Sequence, residues 1–277
     1  MWVTSRLWLA FDSRSVSGLR LGGLSLAVQA SAQAALSAGA LVPSPTGPVL
    51  VDGEAVRQAA ARVLQGLDAG RARVRLLLPD GLARVVRLDA PDHVPADEFA
   101  RFRLGPGLPF AASEAAFGTL RLPRGNAVLA AALRRATVAA FEGLVRGLGV
   151  EPAGVTLSSL AALAPLAPGL LLPNGVAMLL GDTTVTYAGL RAGRLCVVRQ
   201  RLLDGVPDAA QLAAEAQRTA ALAGLAPGAA LALAGRGARA AQHSLASAGH
   251  EASLLDLGLR GAPEAALEWA WLKGLAA

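Results

Sequence analysis

Cysteine is nearly absent: Cys196 stands alone in 277 residues. Without a second thiol the chain has no internal disulfide framework and no thiolate metal cluster. Histidine is scarce too. His93, His243 and His250 are far apart or seven residues apart, a spacing that suits no usual ligand pair, so no metal site is expected. Aromatic residues make up 4% of the chain, and Lys273 is the one lysine among 26 cationic side chains. No basic run interleaves with stacking rings, so nucleic acid is not an expected partner. The +6 formal charge is nearly all arginine, which fits coding bias or a mildly basic face beside an anionic membrane.

Unbroken apolar runs are also missing. Residues 152–181 carry no charge, but Pro165, Pro168, Pro173 and Asn174 divide them. A spanning helix needs about 20 predominantly apolar residues in a row, and proline ends helices. Leu21 to Val51 is likewise uncharged, with Gln29, Gln33, several serines and "PSPTGP" inside it. The N-terminus has no cleavage-type end, so no signal peptide is expected. What is abundant is core: 53% hydrophobic against 17% charged, which argues against disorder. A soluble α/β chain is the expectation, with Cys196 buried in an apolar strand.

The pattern along the chain alternates strand, turn and helix. "FDSRSVSGLRL" reads as strand, turn and strand, and "GLRLGGLSLAVQAS" as a hairpin bending at Gly22 and Gly23. Val56, Ala60, Val63, Leu64 and Leu67 recur at helical spacing. Two strands flank a "PDG" turn at Pro79, followed by a short helix "ADEFARF" and an irregular "LGPGLPF". A strand "AVLAAALRR", a helix "TVAAFEGLVRGLG" and a strand "GVTLSS" come next. After a proline-rich joint at 163–175 a three-strand meander begins again, then helix, apolar strand, Gly-turn, helix, and a last helix "APEAALEWAWLKGLA" carrying Trp269 and Trp271. Both halves thus open on a meander, a weak internal duplication. Two lobes are expected, 1–164 and a reduced 165–277, with a small subdomain inserted in the first at about 76–162.

Collinear segments carry a resemblance: "LVPSPTGPVLVDGEAVRQAAARVL", "VRLLLPDGLARVVRLDAP", "GDTTVTYAGLRAGRL", "LALAGRG" and "EAALEWAWLKGL". In this order the chain resembles the two-lobed actin-like (ribonuclease H-like) ATPase superfold, and within it the PilM proteins of type IV pili. The cytoplasmic half of GspL, from type II secretion, is a near neighbour. The resemblance implies two glycine-containing phosphate hairpins, each led by an acid, and a glycine pair for adenosine. Asp12 matches the first acid, but Arg14 replaces the glycine. Gly181, Thr183 and Thr184 match the second turn, yet Leu179 stands where its acid belongs, with Asp182 on the wrong side of Gly181. Gly235 and Gly237 match the adenosine pair, with Arg236 between them.

A missing acid removes a hard-cation ligand or a water-orienting group. The implied site is a remnant, with ATP and Mg²⁺ doubtful and no other cofactor expected. Asp12 then reads either as a metal-positioning acid or as a turn aspartate capping its own backbone. Glu215 reads as part of an ordinary polar helix face. The implied function is a non-catalytic scaffold on the cytoplasmic face of the inner membrane, holding the tail of a PilN-like bitopic protein. Its groove would be lined near Leu108, Phe110, Phe141 and Val145. The alternatives are an actin-like ATPase with an unusual phosphate loop and a GspL-like secretion component.

Overall fold

The computed structural model describes residues 6–22, 27–70, 73–122, 126–166, 172–203, 205 and 208–255. Trp269, Trp271, Gly23 and the last expected helix lie outside them. The chain runs β1 (Arg6–Phe11), β2 (Ser15–Gly22), β3 (Ala27–Ala35), α1 (Gly53–Gly66), β4 (Arg73–Leu78), β5 (Ala83–Asp89), α2 (Ala96–Leu104), β6 (Ala115–Arg121) and β7 (Ala127–Arg134). It continues α3 (Arg135–Arg146), β8 (Glu151–Leu157), α4 (Ser158–Leu166), β9 (Gly175–Leu180), β10 (Thr184–Arg191), β11 (Arg194–Leu202), α5 (Ala209–Leu222), β12 (Ala230–Gly235), α6 (Ala238–Ser247) and β13 (Ala252–Leu254).

The weak duplication becomes one topology used twice. The first sheet has the order β3-β2-β1-β4-β8 and the second β11-β10-β9-β12-β13. In each, an antiparallel meander is followed by two parallel strands. Every residue of β9 is buried, as expected of a central strand covered on both faces. Asp52 caps α1 by accepting from the Ala55 amide, and Asp208 caps α5 through Gln211. Each such cap contributes about 1 kcal/mol.

A third sheet, β5-β7-β6, stands apart from both. Its central strand is alanine-rich, and period-2 alternation decides its two faces. Leu129, Ala131 and Leu133 join the main core, while Ala130 and Ala132 pack with Ala100 and Leu104 of α2. The inserted unit is therefore residues 83–134, narrower than the expected 76–162. β4 and β8 pair in the first sheet, and α3 packs its apolar stripe into the first lobe's core. The "PDG" turn is present as a single 3₁₀ turn, Asp80–Leu82, and carries the chain from one sheet into another. β6, α4 and β13 had no distinct sequence pattern.

The inserted sheet also leans on the second half. The Val85 amide donates to Gln200 Oε1 at 3.0 Å, and Arg87 Nε donates to the Leu195 carbonyl at 2.8 Å. Cys196, expected to be buried, is half-exposed on β11. Among the described residues no helix is long and apolar enough to cross a membrane.

Candidate functional site

Three turns from the two duplicated sheets converge: residues 12–14 after β1, 181–183 after β9, and 235–237 after β12. The first turn is closed by Asp12. Its Oδ1 accepts from the amides of Arg14 (2.8 Å) and Ser15 (2.7 Å), and its Oδ2 accepts from Ser15 Oγ at 3.1 Å. Those amides are the donors a phosphate hairpin would offer its ligand, and here they are satisfied internally. Arg14 is exposed at the tip, and its carbonyl accepts from the Leu36 amide at 2.7 Å.

The second turn is equally closed. The Gly181 amide donates to the Thr184 carbonyl at 2.8 Å, and the Thr183 carbonyl accepts from the Leu203 amide at 2.9 Å. Thr184 is buried at the start of β10. Gly235 adopts φ +97°, and a Cβ there would collide with the Leu180 carbonyl oxygen, so this position accepts glycine alone. Gly237 (φ +74°) opens α6 with free space around its Cα.

Arg236, the residue between those glycines, reaches across to both acidic turns. Its Nη2 lies 2.8 Å from Asp12 Oδ2 and 2.8 Å from Ser15 Oγ, and its Nε lies 3.5 Å from Asp182 Oδ1. Ser13 Oγ donates to Asp182 Oδ2 at 3.0 Å, and Gln33 Nε2 donates to Ser15 Oγ at 3.0 Å. Asp182 is the most enclosed of the three charges, with its side chain 5% exposed. Burial first, and neighbouring Asp182 second, lift the Asp12 carboxyl to about 6, against the lowering pull of Arg236. Two acids sharing one cation explain that balance.

Asp182 and Arg236 thus hold the site together, although the sequence placed one on the wrong side of a glycine and made the other an interruption. Asp80 belongs to the expected "PDG" turn, and nothing in the sequence marks it as a buried acid. Asp80 is buried, and its carboxylate accepts from the Ser159 amide at 2.9 and 3.1 Å and from Ser159 Oγ at 2.8 Å. It thereby satisfies an orphan amide in the first turn of α4. Burial lifts its pKa to about 6, against the lowering effect of both Ser159 bonds. Because that value lies above the ordinary 3.8 of the unfolded chain, folding takes up a proton between about pH 4 and 6. The resulting stabilisation is complete below pH 4 and lost as pH rises through 6. Asp80→Asn keeps one acceptor and should gain about 2–3 kcal/mol relative to the parent between pH 4 and 7. Urea unfolding of both proteins across that range checks this, and a pH-independent difference would contradict it.

The four residues expected to line a partner groove separate. Leu108 packs on the small core under α2, and the Arg134 guanidinium sits 5.5 Å over the half-buried Phe110 ring. Phe141 and Val145 are 0% exposed, and the Phe141 ring packs edge-on to Phe11 with centroids 4.9 Å apart. Those two are core and offer no surface: their helical spacing marks the face α3 turns inward. Glu215, read as an ordinary helix face, holds Arg199, Arg201 and Arg218 within 3.3 Å. A groove of about 1450 Å³ runs between α5, α6 and β13 and shares no residue with the three turns.

Paired sheets of one topology, with turns meeting between them and a small sheet inserted in the first, make up the two-lobed actin-like ATPase fold. No family model matches the sequence, and no curated protein matches it. Among solved structures the chain is similar to one in the PilM-PilN type IV pilus biogenesis complex. That match covers 98% of this chain and 97% of the other, with a TM-score of 0.67 and 18% identity. A Bacteroides thetaiotaomicron protein with an actin-like ATPase fold and unknown function matches over 98% and 96%, with a TM-score of 0.65 and 10% identity. The cytoplasmic domain of EpsL, an inner membrane component of the Vibrio cholerae type II secretion system, matches more loosely over 73% and 71%, at a TM-score of 0.48 and 14% identity.

Proposed function

We propose that the chain is a non-catalytic scaffold of a type IV pilus assembly machine, held at the inner face of the inner membrane by the cytoplasmic tail of a PilN-like protein. The observation that carries the non-catalytic half is Arg236 lodged between Asp12 and Asp182. A nucleotide-bound metal needs free carboxylate oxygens, and its phosphates need free amides. In these turns the carboxylates face a guanidinium, and the amides of Arg14, Ser15 and Gly181 are bonded internally. Beside them the cleft holds a cavity of about 30 Å³, lined by Asp80, Ser159, Gly181 and Gly235 among others. That is room for one water. The residues present do not fit Mg-ATP.

The scaffold half draws on the full-length likeness in fold to a chain of the PilM-PilN complex. Of the residues expected to meet the tail, Leu108 and Phe110 stay near the surface of the inserted unit. An extended tail peptide would add to a strand edge and bury apolar side chains there. Titrating the chain with the cytoplasmic tail of a PilN-like protein tests this. Saturable binding, unchanged by Mg-ATP, is expected. No binding, or binding that requires nucleotide, would overturn the reading.

A further inference from the structure

We propose, resting on that reading, that Arg236 is a resident cation: it occupies the place of a metal ion between two acids and latches the lobes shut without any ligand. Asp12 belongs to the first sheet's turn, whereas Asp182 and Arg236 belong to turns of the second. The guanidinium therefore bonds across the cleft, at 2.8 Å to Asp12 Oδ2, and within its own lobe, at 3.5 Å to Asp182 Oδ1. Without that cation the two carboxylates would face each other across the cleft with one of them almost fully enclosed, an arrangement that drives the lobes apart.

Neighbouring groups are arranged around the guanidinium. Ser15 Oγ accepts from Arg236 and Gln33 and donates to Asp12, so both its lone pairs and its proton are used. Ser13 Oγ adds a second crossing bond, to Asp182 Oδ2. Gly235 places the arginine: its φ of +97° turns the chain out of β12, and the Arg236 amide is anchored on the Leu180 carbonyl at 3.1 Å. Arginine suits the role because it stays charged at every physiological pH and presents several donors in a fixed plane. A metal-gated cleft opens and closes with its ligand. This one carries its cation in the sequence, so it presents a single closed shape to a partner.

The test compares the parent, Arg236→Ala, and the triple variant Arg236→Ala/Asp12→Asn/Asp182→Asn by amide hydrogen exchange and thermal unfolding, each with and without millimolar MnCl₂. For Arg236→Ala, exchange at residues 12–15 and 181–184 should quicken at least tenfold and the midpoint should fall. Mn²⁺ should reverse both, because the vacated acids form a hard-cation site. The triple variant should regain part of the midpoint without metal and ignore Mn²⁺. If Arg236→Ala does not fold, a folded triple variant supports the latch and an unfolded one overturns it. Parent-like exchange in Arg236→Ala, or no response to Mn²⁺, also overturns it. These outcomes are separate from the scaffold reading, which fails if the tail does not bind or if the parent protein hydrolyses ATP.

Discussion

Gly235→Ala is expected to lower the stability of the chain by about 3–5 kcal/mol, a loss found only where a specific structural feature is broken. Two costs add. The residue holds φ +97°, where an L side chain is strained by about 1–3 kcal/mol. Its new Cβ would also collide with the Leu180 carbonyl oxygen, and that oxygen is fixed by its place in β9 and by the Arg236 amide. Relief means moving the ends of β9 and β12 apart, which carries Arg236 away from Asp12. For a chain of this size about 2–4 °C accompanies each kcal/mol, so the midpoint should drop by roughly 6–20 °C. Gly237→Ala is the control. It has positive φ but no atom within 4 Å of its new methyl, and should cost about 1–2 kcal/mol. Equal losses at both positions would show that close approach to Leu180 plays no part.

Phe141→Ala should cost a similar 3–5 kcal/mol, the ordinary range for emptying a buried phenylalanine site. Its ring is fully enclosed and packs against Phe11, on the strand that leads into Asp12. The loss is expected in global unfolding by urea, with tail affinity unchanged in the folded fraction. A variant that unfolds like the parent but no longer binds a tail peptide would return Phe141 to the partner surface.

The fold was legible in the sequence where structure is local or periodic. The meander "VAMLLGDTTVTYAGLRAGRLCVVRQRLL" became β9, β10 and β11, and the repeated opening became two sheets of one order. Less legible were features with no local pattern. β13 is three residues long, and α4 is a run of Ser, Leu, Ala and Pro without the periodicity that marks a helix. On α3, apolar spacing marks the helix, but core and partner surface use the same residue types, so residue type alone does not separate the buried Phe141 and Val145 from a partner surface.

The site divides the same way. Its turns were found from glycines and acids, whose signals lie within a few residues. Its bonds were not, because they join distant positions: Ser13 to Asp182 across 169 residues, Arg236 to Asp12 across 224, and Asp80 to Ser159 across 79. By the pattern of glycines and acids, Asp182 follows Gly181 where an acid should precede it, and Arg236 interrupts two glycines. Taken as charges in converging turns, the two are a pair.

Calorimetric titration of the purified parent protein with Mg-ATP, followed by an assay for released phosphate, decides whether the three turns hold a nucleotide. With Arg236 in the cation's place and the turn amides satisfied within the chain, no saturable heat up to millimolar nucleotide and no phosphate release are predicted. Saturable binding with hydrolysis that Asp12→Asn abolishes would contradict both the scaffold and the latch, and would make Arg236 a phosphate ligand and not a substitute for the metal.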